Sequence, residues 1–342
     1  MRPLIAVVLL CTAVAQAAPT SPIEALIETG SQKLEAGDLA GALERFDKAA
    51  RLDGKDPRPR YLAAVAYEKK GDATQAERLF REALKLDPKL ADVRAELGAL
   101  LHDQKRYDDA VAELKQAVAQ KADLGDAWFN LGQAELARHH CAEAIPAFQK
   151  ATSLKPGEAE PVLQRSIALR QCKKNDDAVK AAREAVKIAP QNAMVQLNLG
   201  TTLETLGKLD DARIAYTAAT KLKPDYATAF WSLGLLELHA SKAAAAKVAL
   251  EKARSLDPSA ARIADLGRAH RDLGDLPRAE ALFKEAIAKD PKYTPARFFL
   301  AQVYAATGRC ADLDKETAAL PASPTKAASV KKLQADCRAR KH

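Results

Sequence analysis

Large aromatic side chains are scarce in this chain of 342 residues: Phe, Trp and Tyr make up 5% of the sequence, although 48% of the residues are hydrophobic. Alanine is prominent among the hydrophobic residues. Such a composition suits thin packed helices better than the thick core of a globular domain. No segment is rich in β-forming residues, so a β-sheet is not expected.

Long apolar runs and a strong charge of one sign are missing as well. After the first residues, no stretch approaches the roughly 20 apolar residues of a transmembrane helix, so no membrane span is expected in the mature chain. The net charge of +8 is modest, and basic residues alternate with acidic ones as they do on solvated helix faces. No ladder of basic and aromatic residues suited to single strands is present, so nucleic acid is not an expected partner.

What the sequence does contain is a repeat. Alanine recurs at positions 42, 76, 110, 144, 178, 212 and 246, a constant spacing of 34 residues, and again at 279 after a one-residue deletion. In most units a large apolar residue follows this alanine by four positions, a second alanine by seven and a proline by twelve. One helix-breaking proline per period, with apolar residues at intervals of three and four between prolines, predicts two helices per repeat. Such a unit is stable only when it is stacked on its neighbours.

With these marks the chain resembles the tetratricopeptide repeat family, whose pattern carries an aromatic residue, a Leu-Gly pair, and then Ala, Phe, Ala and Pro. The match is clearest in one unit, through Trp128, Leu131, Gly132, Ala144, Phe148, Ala151 and Pro156. The resemblance implies an all-α fold, a right-handed α-solenoid of about nine helix-turn-helix repeats with a C-terminal capping helix.

The predicted units begin at residues 23, 57, 91, 125, 159, 193, 227, 260 and 294, and the array is expected to cover 23–320. The fifth unit departs from the pattern with Arg165 and Ser166 in the Leu-Gly slot, and the ninth with Leu313 in place of the first alanine. The ninth is therefore interpreted as a capping unit, followed by a capping helix and basic tail over 321–342. Since each repeat of a solenoid contacts only the next, one continuous array is expected rather than two domains.

The first residues have the features of an export signal. Arg2 supplies a positive charge, an apolar stretch follows, and Ala15-Gln16-Ala17 forms a small-x-small cleavage site. A signal peptide is predicted over 1–17 and a short linker over 18–22, which makes the mature chain periplasmic or secreted. An uncleaved anchor is the weaker alternative. A lipid anchor at Cys11 is disfavoured because a large residue directly precedes this cysteine.

Export would place the four remaining cysteines in an oxidising compartment, where disulfides form. In the repeat register, Cys141 opens the second helix of the fourth unit and Cys172 closes the first helix of the fifth. These helix ends are neighbours in a stack of antiparallel helices. Cys310 opens the second helix of the ninth unit, and Cys337 lies near the end of the capping helix. We therefore predict the pairs Cys141–Cys172 and Cys310–Cys337.

A metal site is the alternative interpretation of the first pair, since His139 and His140 precede Cys141 and both imidazole and thiolate bind zinc or copper. Adjacent histidines in a turn usually point in different directions, and the second cysteine pair needs no metal. No metal site is therefore predicted.

Motifs of catalysis are absent. The sequence has no Gly-x-Ser-x-Gly elbow, no His-Glu-x-x-His motif, no phosphate loop and no Gly-x-Gly-x-x-Gly fingerprint. Paired carboxylates stand just before the alanine of a second helix, where they are expected to complement the helix N-terminus rather than to act as acid and base: Asp108-Asp109, Asp176-Asp177 and Asp210-Asp211. We expect neither an enzyme nor a cofactor.

In tetratricopeptide proteins the first helix of each unit lines the concave face. The resemblance gives this role to the second, fifth, sixth, ninth, twelfth and thirteenth positions of each unit. The predicted partner-binding groove comprises Tyr61, Phe129, Asn130, Gln133, Gln164, Arg170, Asn198, Trp231, Arg268, Arg271, Phe298 and Gln302. Asn130 and Asn198 occupy slots where family members often hold the backbone of an extended peptide, which suits an amide that both donates and accepts. The basic clamp of chaperone-binding relatives is missing, because its positions hold Phe129, Leu163 and Leu197.

These features predict a non-enzymatic adaptor of the cell envelope that holds a protein or an extended peptide in its groove. The alternative is an accessory glycan-binding subunit of a secreted enzyme or polysaccharide machine, which would use the same aromatic residues. The basic residues of the tail are expected to solubilise the end of the array, with weak contact to an anionic surface as the alternative: Lys326, Lys331, Lys332, Arg338, Arg340 and Lys341.

Overall fold

The computed structural model describes residues 21–320 and 324–339. Within these ranges the chain forms nineteen helices and no strand, which confirms the all-α class. The predicted signal peptide over 1–17 and most of the predicted linker lie outside the described residues. No helix in the two ranges combines the length and the apolar composition that crossing a bilayer requires.

The described residues fall into two compact units, the first ending at Lys174 and the second beginning at Asn175. The first unit holds α1 Pro22–Glu35, α2 Leu39–Leu52, α3 Arg58–Lys70, α4 Ala73–Leu86, α5 Ala91–Asp103, α6 Tyr107–Gln120, α7 Gly125–Ala137, α8 Cys141–Leu154 and α9 Ala159–Gln171. The second holds α10 Asn175–Ile188, α11 Ala193–Thr205, α12 Leu209–Leu222, α13 Ala227–His239, α14 Ala243–Leu256, α15 Ala260–Asp272, α16 Leu276–Lys289, α17 Thr294–Ala306, α18 Cys310–Ala318 and α19 Pro324–Ala339. The continuous array predicted over 23–320 stays a prediction.

Within each unit the helices pair as hairpins whose turns are set by local sequence. Between α3 and α4, for example, Gly71 adopts φ 83°, a left-handed conformation that suits glycine and ends the first helix. The next residue, Asp72, caps α4 by accepting a hydrogen bond from the Gln75 N–H at 3.1 Å. The paired carboxylates lie in the first turns of α6, α10 and α12, as predicted. Short polar turns of this kind let each hairpin stack on the next, as in an α-solenoid.

The core of each hairpin depends on a close approach between its two helices. The ring of Phe148 on α8 lies against Gly132 on α7, where an added Cβ would lie 2.7 Å from the ring carbon Cδ1. Leu114 packs in the same way against Gly98 one repeat earlier, with 2.6 Å from the added Cβ to Leu114 Cγ. The glycine of the Leu-Gly pair therefore leaves room for the large residue of the second helix. Small residues therefore allow the two helices of these hairpins to pack closely where they cross.

Two cysteine pairs are joined. The sulfur atoms of Cys141 and Cys172 are 1.95 Å apart, and those of Cys310 and Cys337 are 2.02 Å apart. These are the two pairs that the repeat register predicts. Their formation in the protein's own compartment stays a prediction.

Helix α19 packs on α17 and α18, where a further repeat would place its first helix. Leu333 joins the apolar cluster of these helices, and Gln334 donates a hydrogen bond to Asp314 at 2.6 Å. Lys331 and Lys332 of α19 are exposed. The helix therefore covers the last hairpin. The side chains of Lys326, Arg340 and Lys341 lie outside the described part of the chain.

Candidate partner-binding surfaces

In the second unit, helices α13, α15 and α17 bring several predicted groove residues together around one buried carboxylate. Asp265 of α15 is 5% exposed. Its Oδ2 accepts a hydrogen bond from Trp231 Nε1 at 2.8 Å, and its Oδ1 accepts one from Arg268 Nη1 at 2.9 Å. Burying a carboxylate without such donors is strongly unfavourable. The two bonds therefore hold the indole and the guanidinium group in defined positions.

Phe299 of α17 supplies the ring on which two guanidinium groups stack. The guanidinium carbons of Arg268 and Arg271 lie 5.3 and 5.7 Å from the centroid of this ring, within the range of cation–π attraction. Arg271 also donates to the Gln302 side-chain oxygen. We call the set Trp231, Asp265, Arg268, Arg271, Phe299 and Gln302 the Asp265 cluster. Its side chains are positioned by one another, so the surface is organised without a partner.

Each guanidinium group of the Asp265 cluster is paired with a carboxylate inside the cluster or next to it. Arg268 is paired with Asp265 at 2.9 Å, and Arg271 with Asp272 at 2.8 Å. Burial raises the pKa of nearby Tyr293, and the negative charge of Asp265 raises it further. The cluster therefore offers aromatic faces, guanidinium donors and an amide, the side chains typical of binding hot spots, rather than a strong net charge.

The indole of Trp231 is partly covered. The guanidinium carbon of Arg262 lies 5.2 Å from the centroid of the indole, and Arg262 is itself paired with Asp257. One face of the Trp231 indole is thus covered by the guanidinium group of Arg262. The adjacent ring of Phe298, 6.4 Å from Phe299 between centroids, extends the aromatic surface along α17.

In the first unit, predicted groove residues lie on α7 and α9. Phe129 packs on Phe148, with 5.8 Å between ring centroids. The other predicted residues on these helices are half-buried: Asn130, Gln133, Gln164 and Arg170. Gln164 donates a hydrogen bond to Glu160 at 2.8 Å. The contacts described for these side chains do not form a network like that around Asp265.

Helix α7 also buries a carboxylate, Glu135, which is 1% exposed. Its Oε1 lies 2.8 Å from Lys115 Nζ, and its Oε2 lies 2.9 Å from Arg138 Nη1 and 3.3 Å from His140 Nδ1. Burial acts to raise the pKa of this carboxyl, but the hydrogen bond and charge of Lys115 together with Arg138 outweigh burial. The pKa is therefore lowered from its ordinary value of 4.5.

We expect Glu135→Gln to be destabilising at neutral pH and less so in acid. Because the folded-state pKa is depressed, the carboxylate stabilises the protein above the unfolded-state pKa, and this contribution is lost as the pH falls through the folded-state pKa. Urea unfolding at about pH 7 and about pH 3 measures the difference between wild type and variant at each pH. The exposed Glu143 of α8 supplies the control, Glu143→Gln. An equal deficit of the Glu135 variant at both pH values would mean that the side chain acts through packing alone.

Two predicted groove residues lie in the interior. Tyr61 is 5% exposed, and its ring packs on Phe80 of α4 with 6.1 Å between centroids. Burial raises the pKa of the Tyr61 phenol, and the charges of neighbouring carboxylates add to the effect. Asn198 of α11 is 7% exposed. The structure therefore differs from the prediction at these positions, because both side chains are buried instead of facing solvent.

The sequence prediction did not include three residues that the structure places in or beside the Asp265 cluster. Asp265 and Phe299 both occupy the sixth position of their units, which the family pattern assigns to the concave face. Their position in the repeat could therefore have been used to predict them. Arg262 occupies the third position, which the family pattern does not assign to the concave face.

The alternative metal site lacks a set of ligands in the described part of the chain. There, no group of three or more His, Cys, Asp or Glu side chains is arranged to hold a metal ion. The sulfur atoms of Cys141 and Cys172 are bonded to each other, so neither serves as a thiolate ligand beside His139 or His140.

Two family models, both described as tetratricopeptide repeat, match the chain. One matches residues 33–82, 69–134 and 270–337, and the other matches 129–193, 163–227 and 197–261. Together they span most of the sequence. The chain belongs to the tetratricopeptide repeat family.

Two curated proteins are similar to parts of the chain. The type IV pilus assembly protein PilF of Pseudomonas aeruginosa is 26% identical over 143 residues, which cover 41% of this chain and 57% of PilF. Cell division cycle protein 27 homolog A of Arabidopsis thaliana is 31% identical over 86 residues, 25% of this chain and 12% of that protein. The chain therefore spans only part of the length of either relative.

Solved structures show the same fold. A P. aeruginosa PilF structure covers 59% of this chain at 23% identity, with 92% of its own length matched and a TM-score of 0.51. YrrB, described as a TPR protein with an unusual peptide-binding site, also covers 59% at 23% identity, with 100% of its length matched and a TM-score of 0.51. A tetratricopeptide repeat protein from Parabacteroides merdae covers 72% at 15% identity, with 97% of its length matched and a TM-score of 0.57. At these identities the likeness concerns the fold alone.

Proposed function

We propose that this protein is a non-enzymatic adaptor of the bacterial cell envelope, which holds a peptide or protein partner on the first-helix surfaces of its repeats. The observation that carries the proposal is the Asp265 cluster. Its Trp, Arg and Phe side chains are held by internal hydrogen bonds and ring contacts, so little ordering is needed when a partner binds. Residues of these types are the usual anchors of protein interfaces.

Two similar proteins support this proposal by analogy. PilF is named for type IV pilus assembly, and YrrB is described as a TPR protein with an unusual peptide-binding site. Both are repeat proteins without a catalytic function in their names. Export to the periplasm rests on the sequence features of residues 1–17, which support a cleaved signal peptide.

A protein partner is favoured over a glycan by the covering of Trp231. Sugars commonly stack on an open aromatic face, and one face of this indole is occupied by Arg262 at 5.2 Å. The hydrogen-bonding groups of Arg268 and Gln302 suit a peptide backbone or side chain equally well. Contact of the basic helix α19 with an anionic surface is a secondary proposal, supported by the exposed Lys331 and Lys332.

Site-specific crosslinking in the native host tests the function. We expect a photoreactive phenylalanine analogue at Phe298 to form adducts with one or a few envelope proteins, which mass spectrometry then identifies. The matched control places the same analogue at Val248, which is 68% exposed. Val248 lies on α14, the second helix of its repeat. Identical adducts from both positions would contradict the proposal that a partner binds the surface formed by the first helices of the repeats. Retention on a glycan array without a protein adduct would favour the glycan-binding alternative.

A further inference from the structure

The two cysteine pairs share a topology but differ in exposure. Cys141 is the first residue of α8, and Cys310 is the first residue of α18. Cys310 is 7% exposed and Cys337 is 0% exposed, whereas Cys141 and Cys172 are only half-buried. Thiol–disulfide exchange requires that an attacking thiolate reach a disulfide sulfur. The first pair offers that access, and the second does not.

The ends of the first bond also differ in how well they stabilise negative charge. Cys141 begins α8, a helix of fourteen residues, where unpaired N–H groups and the helix dipole stabilise a thiolate. Cys172 is the C-cap residue of α9, at the negative end of the helix dipole. A sulfur that is stabilised as a thiolate is the faster leaving group. Cys141 is therefore the natural leaving sulfur, and Cys172 the sulfur that is attacked.

The surroundings of the bond favour the approach of an anion. Lys173 and Lys174 directly follow Cys172 and are exposed. The nearby carboxylate of Glu135 is buried and already bonded to Lys115 and Arg138. The two exposed lysines next to Cys172 attract an approaching thiolate.

We propose that the Cys141–Cys172 bond is a thiol–disulfide exchange site for dithiol reductants, including protein dithiols, and that Cys310–Cys337 is a protected structural bond. One thiolate of the dithiol attacks Cys172 Sγ, the bond between the two cysteines breaks, and Cys141 leaves as a thiolate that takes up a proton. The second thiolate of the reductant then attacks the reductant sulfur that is bonded to Cys172. The mixed disulfide breaks, and Cys172 is released as a thiolate that takes up a proton. The reductant ends as a disulfide, and two electrons have passed to the protein.

Timed reduction of the oxidised full chain tests this assignment. The protein is exposed to dithiothreitol as the probe dithiol, quenched with an alkylating reagent, and analysed by peptide mass spectrometry. We expect Cys141 and Cys172 to become alkylated at least about ten times faster than Cys310 and Cys337. Equal rates, or faster reduction of the second pair, would overturn the proposal.

Single substitutions test the assigned direction of attack. Cys172→Ser leaves the Cys141 thiol, and Cys141→Ser leaves the Cys172 thiol. We expect iodoacetamide to modify the Cys141 thiol about ten times faster than the Cys172 thiol, since the helix N-terminus increases the thiolate fraction. Equal rates would overturn the role of Cys141 as the leaving group. Circular dichroism and an intact Cys310–Cys337 bond establish that each variant is folded.

Discussion

Replacing Phe148 with alanine lowers the free energy of unfolding by an expected 3–5 kcal/mol, about the cost of truncating a fully buried aromatic side chain. Phe148 is 0% exposed in the hairpin of α7 and α8. Its ring lies over Gly132 and next to Phe129, at 5.8 Å between ring centroids. Gly132 has no side chain that could fill the resulting cavity. Most of the cavity therefore persists in the variant.

The chain supplies its own control for this experiment. Leu114 occupies the same repeat position as Phe148 and packs on Gly98 in the same manner. Phe148→Leu should therefore cost only about 1 kcal/mol, as hydrophobic exchanges that nearly conserve volume do. Urea unfolding followed by circular dichroism gives both values, and hydrogen exchange over 125–154 locates the loss. An alanine variant as stable as the leucine variant would show that α7 and α8 can close around the missing ring.

Fold class could be predicted from the sequence because repeat packing is local and periodic. Each hairpin needs small residues where its helices cross, and the constant spacing of Ala110 and Ala144 repeats this requirement every 34 residues. Both alanines are 0% exposed. The packing of Phe148 against Gly132 follows from the same register. The pairing of Cys141 with Cys172 required only the additional knowledge of which helix ends are adjacent.

The candidate site could be predicted only in part, because its contacts are not periodic. Asp265 gains its role from two donors, Trp231 and Arg268, and nothing in the spacing of the repeats indicates that those bonds form. Tyr61 is buried in the interior, where its ring packs on Phe80 of the paired helix at 6.1 Å between centroids. A position in the repeat thus predicts the helix face, whereas burial depends on the sizes of particular neighbours.

Alanine at both Trp231 and Arg268 should weaken binding of the crosslinked partner by about 100-fold or more, since anchors of this type contribute roughly 2 kcal/mol or more each. Trp231→Ala removes an aromatic contact and leaves Asp265 bonded to Arg268 alone. Arg268→Ala removes the charge that balances the same carboxylate. Isothermal titration with the purified partner measures both losses. Val248→Ala, on the exposed side of α14, serves as the control and should leave the affinity unchanged.

Asp265 accepts hydrogen bonds from both Trp231 and Arg268, so the effects of the two substitutions are expected to depend on each other. If Asp265 organises Trp231 and Arg268 as one unit, the single substitutions are coupled, and the double variant loses less than the sum of the two. Asp265→Asn nearly keeps the size of the side chain but removes its charge, so it should weaken binding as strongly as either single alanine variant. Each variant is compared by thermal unfolding, because lost affinity without lost stability separates binding from folding. Fully additive effects, with an unaffected Asp265→Asn variant, would mean that the two side chains contact the partner independently and that Asp265 only fills space.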